Sequence, residues 1–228
     1  MTEEFPSYVD EYLRLVLRKQ KDAALSFLRE LADSKKLTLI QLFNILAASQ
    51  HTVGTLWSNG TITVADEHYA TEVVLEAIDI LSSKFKVFRK QNIGSALVAN
   101  FVEGEYHTVG LEMFARLLKS QGWDVELLSV PLNISALFKQ LENSRKRFDL
   151  ICCSVTMDFN IEDLISVLKI LRTNINTRDS IILVGSQLFL DKRVTDLIID
   201  RETQEPLADF LAKSFDDGMQ FIQGIIRH

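Results

Sequence analysis

A change of hydrophobic period near Gln91 constrains this fold more than any other feature of the chain. Before it, apolar residues recur at helical spacing. After it, short apolar runs of strand length alternate with helical stripes, a pattern that suits a parallel sheet covered by helices on both faces. The chain therefore divides into a helical part, residues 1–90, and an α/β part, residues 91–228.

In the first part, Tyr12, Leu13, Val16 and Leu17 form one stripe over Tyr8–Lys19, and Ala24, Leu25, Leu28 and Leu31 form another over Lys21–Ala32. A third stripe runs from Thr38, a capping residue, to Trp57. Ser58-Asn59-Gly60 is a stop signal, with glycine for a left-handed cap. A fourth helix is expected from Val64 to Phe88. Four amphipathic helices with short links read as a four-helix bundle.

In the second part the expected strands are Ala96–Phe101, Val125–Ser129, Leu150–Val155, Ile181–Val184 and Leu197–Ile199. Helices are expected near His107–Gln121, Ile134–Arg147, Ile161–Asn174 and Gln187–Val194, with a last one after Glu205. Strands buried on both faces indicate a parallel, doubly wound sheet. Five of them suit a flavodoxin-like, Rossmann-like order.

Glu105-Tyr106-His107-Thr108-Val109-Gly110 directly follows the first strand. It places a histidine at the C-terminal edge of the sheet, where open α/β folds bind ligands. Glu105 can orient the imidazole, and Gly110 lets the helix backbone approach something bulky. With only one histidine there, most of a metal's coordination sphere must come from a cofactor. Ser154-Val155-Thr156 and Gly185-Ser186 close the third and fourth strands on the same edge. Small residues at those ends leave a cleft between them. The first strand has no Gly-x-Gly-x-x-Gly turn and no P-loop, so dinucleotide and ATP sites are not expected.

The net charge of −6 provides no basic face for phosphate backbones, so direct nucleic-acid binding is not expected. Cys152 and Cys153 are adjacent in an apolar run and read as buried strand residues rather than a disulfide or zinc site. No signal peptide or membrane-length apolar run is evident, so a cytoplasmic protein is expected.

Glu105-x-His107-x-x-Gly110, 43 residues, Ser154-x-Thr156, 28 residues, then Gly185-Ser186 resembles the cobalamin-binding module of methionine synthase, some mutases and corrinoid proteins. That resemblance implies His107 as the lower ligand of cobalt and metal-binding residue. It implies a cofactor tail threaded between the strand ends, past Glu105, Gly110, Ser154, Thr156, Gly185 and Ser186. Ser186 stands where the family carries a second glycine. Trp57, nine residues, then Glu67-His68 resembles the bundle signature of light-dependent cobalamin repressors of the CarH type. There the resemblance implies that Trp57 covers the upper corrin face, Glu67 accepts from ribose hydroxyls, and His68 helps fix a 5′-deoxyadenosyl group. Ser58 occupies the place of a histidine that ligates cobalt after illumination in that family. The chain starts almost at the bundle, so operator binding by this chain alone is not expected.

These resemblances imply a non-enzymatic, light- or ligand-sensing photoreceptor. Its expected chromophore is adenosylcobalamin, with methylcobalamin or hydroxocobalamin as substitutes. Its signal would pass to a protein partner or through self-association. The alternative is a corrinoid protein carrying a methyl group between methyltransferases. An orphan mutase subunit fits less well without a substrate barrel.

Overall fold

The computed structural model describes residues 4–85, 93–102, 105, 107–128, 136, 139 and 147–226. The chain forms two compact units, Met1–Lys86 and Val87–His228. The first contains α1 (Glu4–Leu17), α2 (Lys21–Asp33), α3 (Leu39–Ser58) and α4 (Val64–Lys84). Their stripes supply a core that includes Tyr12, Leu28, Phe43, Leu46, Ile78 and Leu81, all nearly inaccessible to solvent. Thr38 and Thr63 start α3 and α4 with reciprocal capping boxes, to Gln41 and Asp66 respectively. Gly60 adopts φ +76° behind α3, as the stop signal requires. Lys19–Asp66, Lys21–Glu76 and Lys84–Asp33 ion pairs lie on the surface of this unit. The fourth helix stops at Lys84, and the rest of its expected span reaches residues outside those described.

The second unit contains β1 (Ser95–Ala99), α5 (Val109–Ser120), β2 (Asp124–Leu128), β3 (Leu150–Ser154), α6 (Ile161–Thr173) and β4 (Ile181–Gly185). It continues with the one-turn helix α7 (Lys192–Thr195), β5 (Phe210–Ala212) and α8 (Phe215–Ile226). The five strands are ordered β2-β1-β3-β4-β5, and every pairing is parallel. This is the flavodoxin-like order, and its switch point lies between β1 and β3. The central strands β1 and β3 are almost wholly buried. The buried faces of α5 and α6 pack as amphipathic stripes. α8 approaches α5 closely at Gly218, where a Cβ would come within 3.2 Å of the Phe114 ring.

Two expectations need correction. Leu197–Ile199 is not the fifth strand. Ile198 enters the core, and Ile199 makes one isolated antiparallel bridge to Pro206. The fifth strand is Phe210–Ala212, too short to show alternation. Asp209 leads into it, accepting from Ile182 N (2.7 Å) and from Arg172 Nη2 (2.7 Å). Gln187–Val194 is not one helix either. It is a 3-10 turn, Gln187–Leu190, followed by α7, with Asp191 capping the second piece. The expected helix Ile134–Arg147 lies almost entirely outside the described residues.

Candidate functional site: a carboxylate-held histidine at the sheet's switch point

After β1 the chain turns at Asn100, a fully buried side chain. Its amide donates to the Glu105 carbonyl, and its Oδ1 accepts from Val102 N (3.3 Å). The loop is thereby folded back, and Glu105 points into the protein with no solvent exposure. A buried carboxylate requires donors. One oxygen, Oε1, takes the His107 ring through Nδ1 and also the His107 backbone N–H (3.3 Å). The other, Oε2, accepts from Thr156 N (2.8 Å), Met157 N (3.4 Å) and Asn160 Nδ2 (3.2 Å). Glu105 follows β1, whereas Thr156, Met157 and Asn160 follow β3. The carboxylate therefore bridges the two strands at the switch point.

Burial opposes charge on Glu105. Hydrogen bonds from His107, Thr156 and Asn160, with the charge of His107, outweigh burial and hold the carboxyl down at about 2. An ionised carboxylate only accepts, so His107 Nδ1 must carry a proton. Nε2 is then the ring nitrogen that would serve a metal once it is unprotonated. The His107 side chain is 59% exposed while its partner is fully buried. This is the arrangement by which a carboxylate fixes the tautomer of a metal-ligating imidazole.

The remaining residues of the expected set lie at the ends of β3 and β4 and at the start of α5. Ser154 pairs with Gly185 in the β3–β4 register, and Val155 N donates to Gly185 O (3.2 Å). Thr156 contributes its backbone N–H to Glu105. Gly110 opens α5, and a Cβ built there meets nothing within 4 Å. The described packing therefore does not demand glycine at this position, which leaves space for an external group. Ser186 is extended at φ −165°, and its Oγ accepts from Leu188 N (3.0 Å) to cap the next turn. Backbone of that kind suits any residue, so serine in place of glycine strains nothing.

Asn100 and Asn160 were not singled out from the sequence. Asn100 had a legible signal, a polar residue inside an apolar run. Asn160 had none, because its partner lies 55 positions away.

The second expected set lies in the helical unit. Trp57 occupies the last turn of α3 and is 49% exposed. Glu67 and His68 occupy the start of α4, across the short link capped by Thr63. His68 Nδ1 meets Glu67 Oε2 at 2.6 Å. Thr71 donates to Glu67 Oε1 (2.9 Å), and Gln50 donates to Thr71 (3.1 Å). Glu67 is thus held by a relay anchored in α3. Ser58 Oγ donates back to Thr55 O (2.9 Å). His51 is exposed on α3.

Among the described residues, no group of three or more His, Cys, Asp or Glu side chains could hold a metal ion. A metal at His107 would need its other donors from a cofactor, such as the cobalamin that the sequence resemblance implies. The residues present fit such a group: an oriented imidazole, open backbone at Gly110, and small residues at the neighbouring strand ends. No described helix is long and apolar enough to cross a membrane.

Comparison with known proteins agrees with this chemistry. Residues 8–82 match one family model and residues 95–209 another, both described as B12 binding domain. No curated protein matches significantly. The solved monomethylamine corrinoid protein of Methanosarcina barkeri superposes with a TM-score of 0.71 at 14% identity, covering 96% of this chain and 99% of that one. A cobalamin-binding protein from Desulfitobacterium hafniense gives a TM-score of 0.45 at 15% identity, covering 95% and 97%. The methanol:cobalamin methyltransferase complex MtaBC of Methanosarcina barkeri gives 0.42 at 15% identity, covering 100% and 81%. At 14% identity the likeness to the monomethylamine corrinoid protein is one of fold. The family models span most of the chain, and their cofactor suits the site built around His107: the chain belongs to the B12-binding domain family.

Proposed function

We propose that this cobalamin-binding protein is a corrinoid carrier, which holds its cofactor through His107 and presents a methyl group to partner methyltransferases. The observation that carries the cofactor half is the Glu105–His107 pair at the switch point, with His107 Nδ1 on the buried carboxylate. The carrier half is supported by the likeness of the two-unit fold to a monomethylamine corrinoid protein over 96% of the chain. When bound, the corrin supplies a cobalt centre able to take up and release a one-carbon group. The protein's own part is to bind and orient. Glu105 fixes the tautomer of His107, so that Nε2 would offer its lone pair to the metal. Asn100 and the Thr156–Asn160 turn keep Glu105 in place. Transfer chemistry belongs to the partners, so the chain is a carrier rather than an enzyme on its own.

A second reading, an adenosylcobalamin sensor responsive to light, is favoured by one observation. Glu67 is preset by Thr71 and His68 as an acceptor, which is what recognition of ribose hydroxyls requires. One set of titrations separates the readings. The apoprotein is titrated with methyl-, hydroxo- and adenosylcobalamin, and spectra are recorded before and after green light. The carrier reading expects methylcobalamin to bind at least as tightly as adenosylcobalamin, with Glu67→Ala affecting both alike. A marked preference for adenosylcobalamin that Glu67→Ala abolishes would replace it with the sensor reading.

A further inference from the structure

The turn that grips Glu105 is inverted in its burial. Between β3 and α6 it buries a polar side chain, Asn160, and leaves two apolar ones in water, Met157 (38% exposed) and Phe159 (71% exposed). The buried Asn160 is explained by its bond to Glu105. Packing among the described residues does not explain Phe159. Elsewhere in this segment apolar residues are buried normally, Val155 at 1% and Ile161 at 5%. The turn's shape is fixed on both sides of Phe159. Met157 N and Asn160 Nδ2 are anchored on the Glu105 oxygen. Asn160 N donates to Met157 O (3.1 Å) and Phe159 N to Asp158 Oδ1 (2.8 Å). Consecutive Cα atoms are about 3.8 Å apart. Phe159 thus cannot lie far from the carboxylate that holds His107.

We infer that Phe159, seconded by Met157, forms an apolar lip of the cobalamin site and packs against the macrocycle on the side ligated by His107. The inference rests on the cobalamin reading. What points to the macrocycle as occupant is the shared anchor: one carboxylate fixes both the metal-facing imidazole and the turn bearing the two exposed side chains. A large ring seated on His107 lies within reach of that turn, and its alkyl-substituted periphery is the apolar partner that Phe159 lacks. The lip would act on affinity and residence time, and it would leave the identity of the axial ligand unchanged.

The test uses the full chain. Wild type, Phe159→Ala, Phe159→Leu, Met157→Ala and His107→Ala are titrated with hydroxocobalamin and with diaquocobinamide, which keeps the macrocycle and an exchangeable axial water but lacks the nucleotide tail. Equilibrium affinity, dissociation rate and the absorption spectrum are recorded, with the urea midpoint of each apoprotein. Phe159→Ala is expected to weaken both ligands about tenfold, equivalent to about 1.4 kcal/mol. It should keep the His-on spectrum and leave the apoprotein midpoint unchanged. Phe159→Leu should retain most of the affinity, and Met157→Ala should lose less than Phe159→Ala. Unchanged affinity in Phe159→Ala with a retained His-on spectrum would overturn the lip while leaving the cobalamin reading intact. A lowered apoprotein midpoint would also overturn it, by assigning Phe159 to internal packing. Failure of wild type to bind, or an unaltered spectrum in His107→Ala, would instead break the underlying reading.

Discussion

Replacing Glu105 by glutamine and by alanine tests the site most sharply, because the two changes should separate stability from ligation. Three donors converge on Oε2, from Thr156, Met157 and Asn160, and the His107 ring sits on Oε1. In Glu105→Gln the amide must choose an orientation. Turning its NH2 toward the three donors would set donors against donors, so the carbonyl oxygen should face the turn. The NH2 group then faces His107 Nδ1, which must become an acceptor. The imidazole proton moves to Nε2, the atom required by the metal. The turn keeps its bonds, so apoprotein stability should change by about 1 kcal/mol or less. Cobalamin affinity should fall about 10- to 100-fold, the usual cost of losing the carboxylate behind a ligating histidine.

Glu105→Ala removes both functions. Its strongest lost contacts are those from Thr156 at 2.8 Å and Asn160 at 3.2 Å. At about 1.5 kcal/mol for each hydrogen bond to a charged group, the apoprotein should lose about 3 kcal/mol. Urea denaturation followed by circular dichroism measures the stability, and spectral titration with hydroxocobalamin measures the affinity. The pH dependence adds a check of sign. The Glu105 carboxyl is held at about 2 in the fold, below its ordinary value of 4.5. Its contribution is therefore fully present above about pH 4.5 and is lost as pH falls toward 2. That part of the acid sensitivity should vanish in Glu105→Gln. Wild-type affinity with a His-on spectrum in Glu105→Gln would refute the tautomer argument. Unchanged stability in Glu105→Ala would refute the network.

Three further outcomes are expected. His107→Ala should lose the base-off, His-on spectrum and most of the cobalamin affinity, and imidazole added to the variant should partly restore that spectrum. Gly110→Leu should leave the apoprotein as stable as wild type, since no described atom lies within 4 Å of the new Cβ. It should nonetheless impair cobalamin binding, and unimpaired binding would remove Gly110 from the site. Thr63→Ala, which deletes the acceptor for Asp66 N, should destabilise the helical unit by about 1 kcal/mol. Thermal circular dichroism should show a lowering of about 4–8 °C for the transition of that unit.

The fold was largely legible because its signals are local. Capping threonines, Gly60 behind α3, and the apolar runs of β1, β3 and β4 are each defined by neighbours in sequence. β5 was illegible for the opposite reason. Its three residues are fixed by pairing with β4 and by Arg172, whose guanidinium reaches Leu207 O, Ser180 O and Asp209. Leu197–Ile199 carried the stronger local strand pattern, yet tertiary packing put Ile198 into the core and gave Ile199 a single bridge. At the site, the Glu105–His107 pairing could be anticipated from a two-residue spacing. The turn that holds the carboxylate could not, since Thr156 and Asn160 meet Glu105 only through the β1–β3 crossover. Phe159 was illegible as well, because exposure of an aromatic residue depends on the whole surface around it.

The Glu105–His107 pair serves a carrier and a sensor equally. Both need an oriented imidazole, and Glu105 with its turn provides one for either. Substitutions at His107, Glu105 or Asn160 should therefore weaken both functions together. The choice rests on what a cofactor's upper substituent would meet. A methyl carrier must leave that side reachable by a partner enzyme and has no use for an acceptor of ribose hydroxyls. A sensor must enclose the substituent so that its loss is felt. Glu67 is an immobilised acceptor, tied through Thr71 to Gln50 on the neighbouring helix, and such a relay does not arise from helix propensity alone. The variant Thr71→Val keeps the shape of the side chain and removes its hydroxyl. It should loosen Glu67 without touching the lower ligand. If affinity for adenosylcobalamin falls while that for methylcobalamin holds, the relay serves adenosyl recognition and the sensor reading gains. If both are unchanged, the relay only braces α3 against α4, and the carrier reading stands.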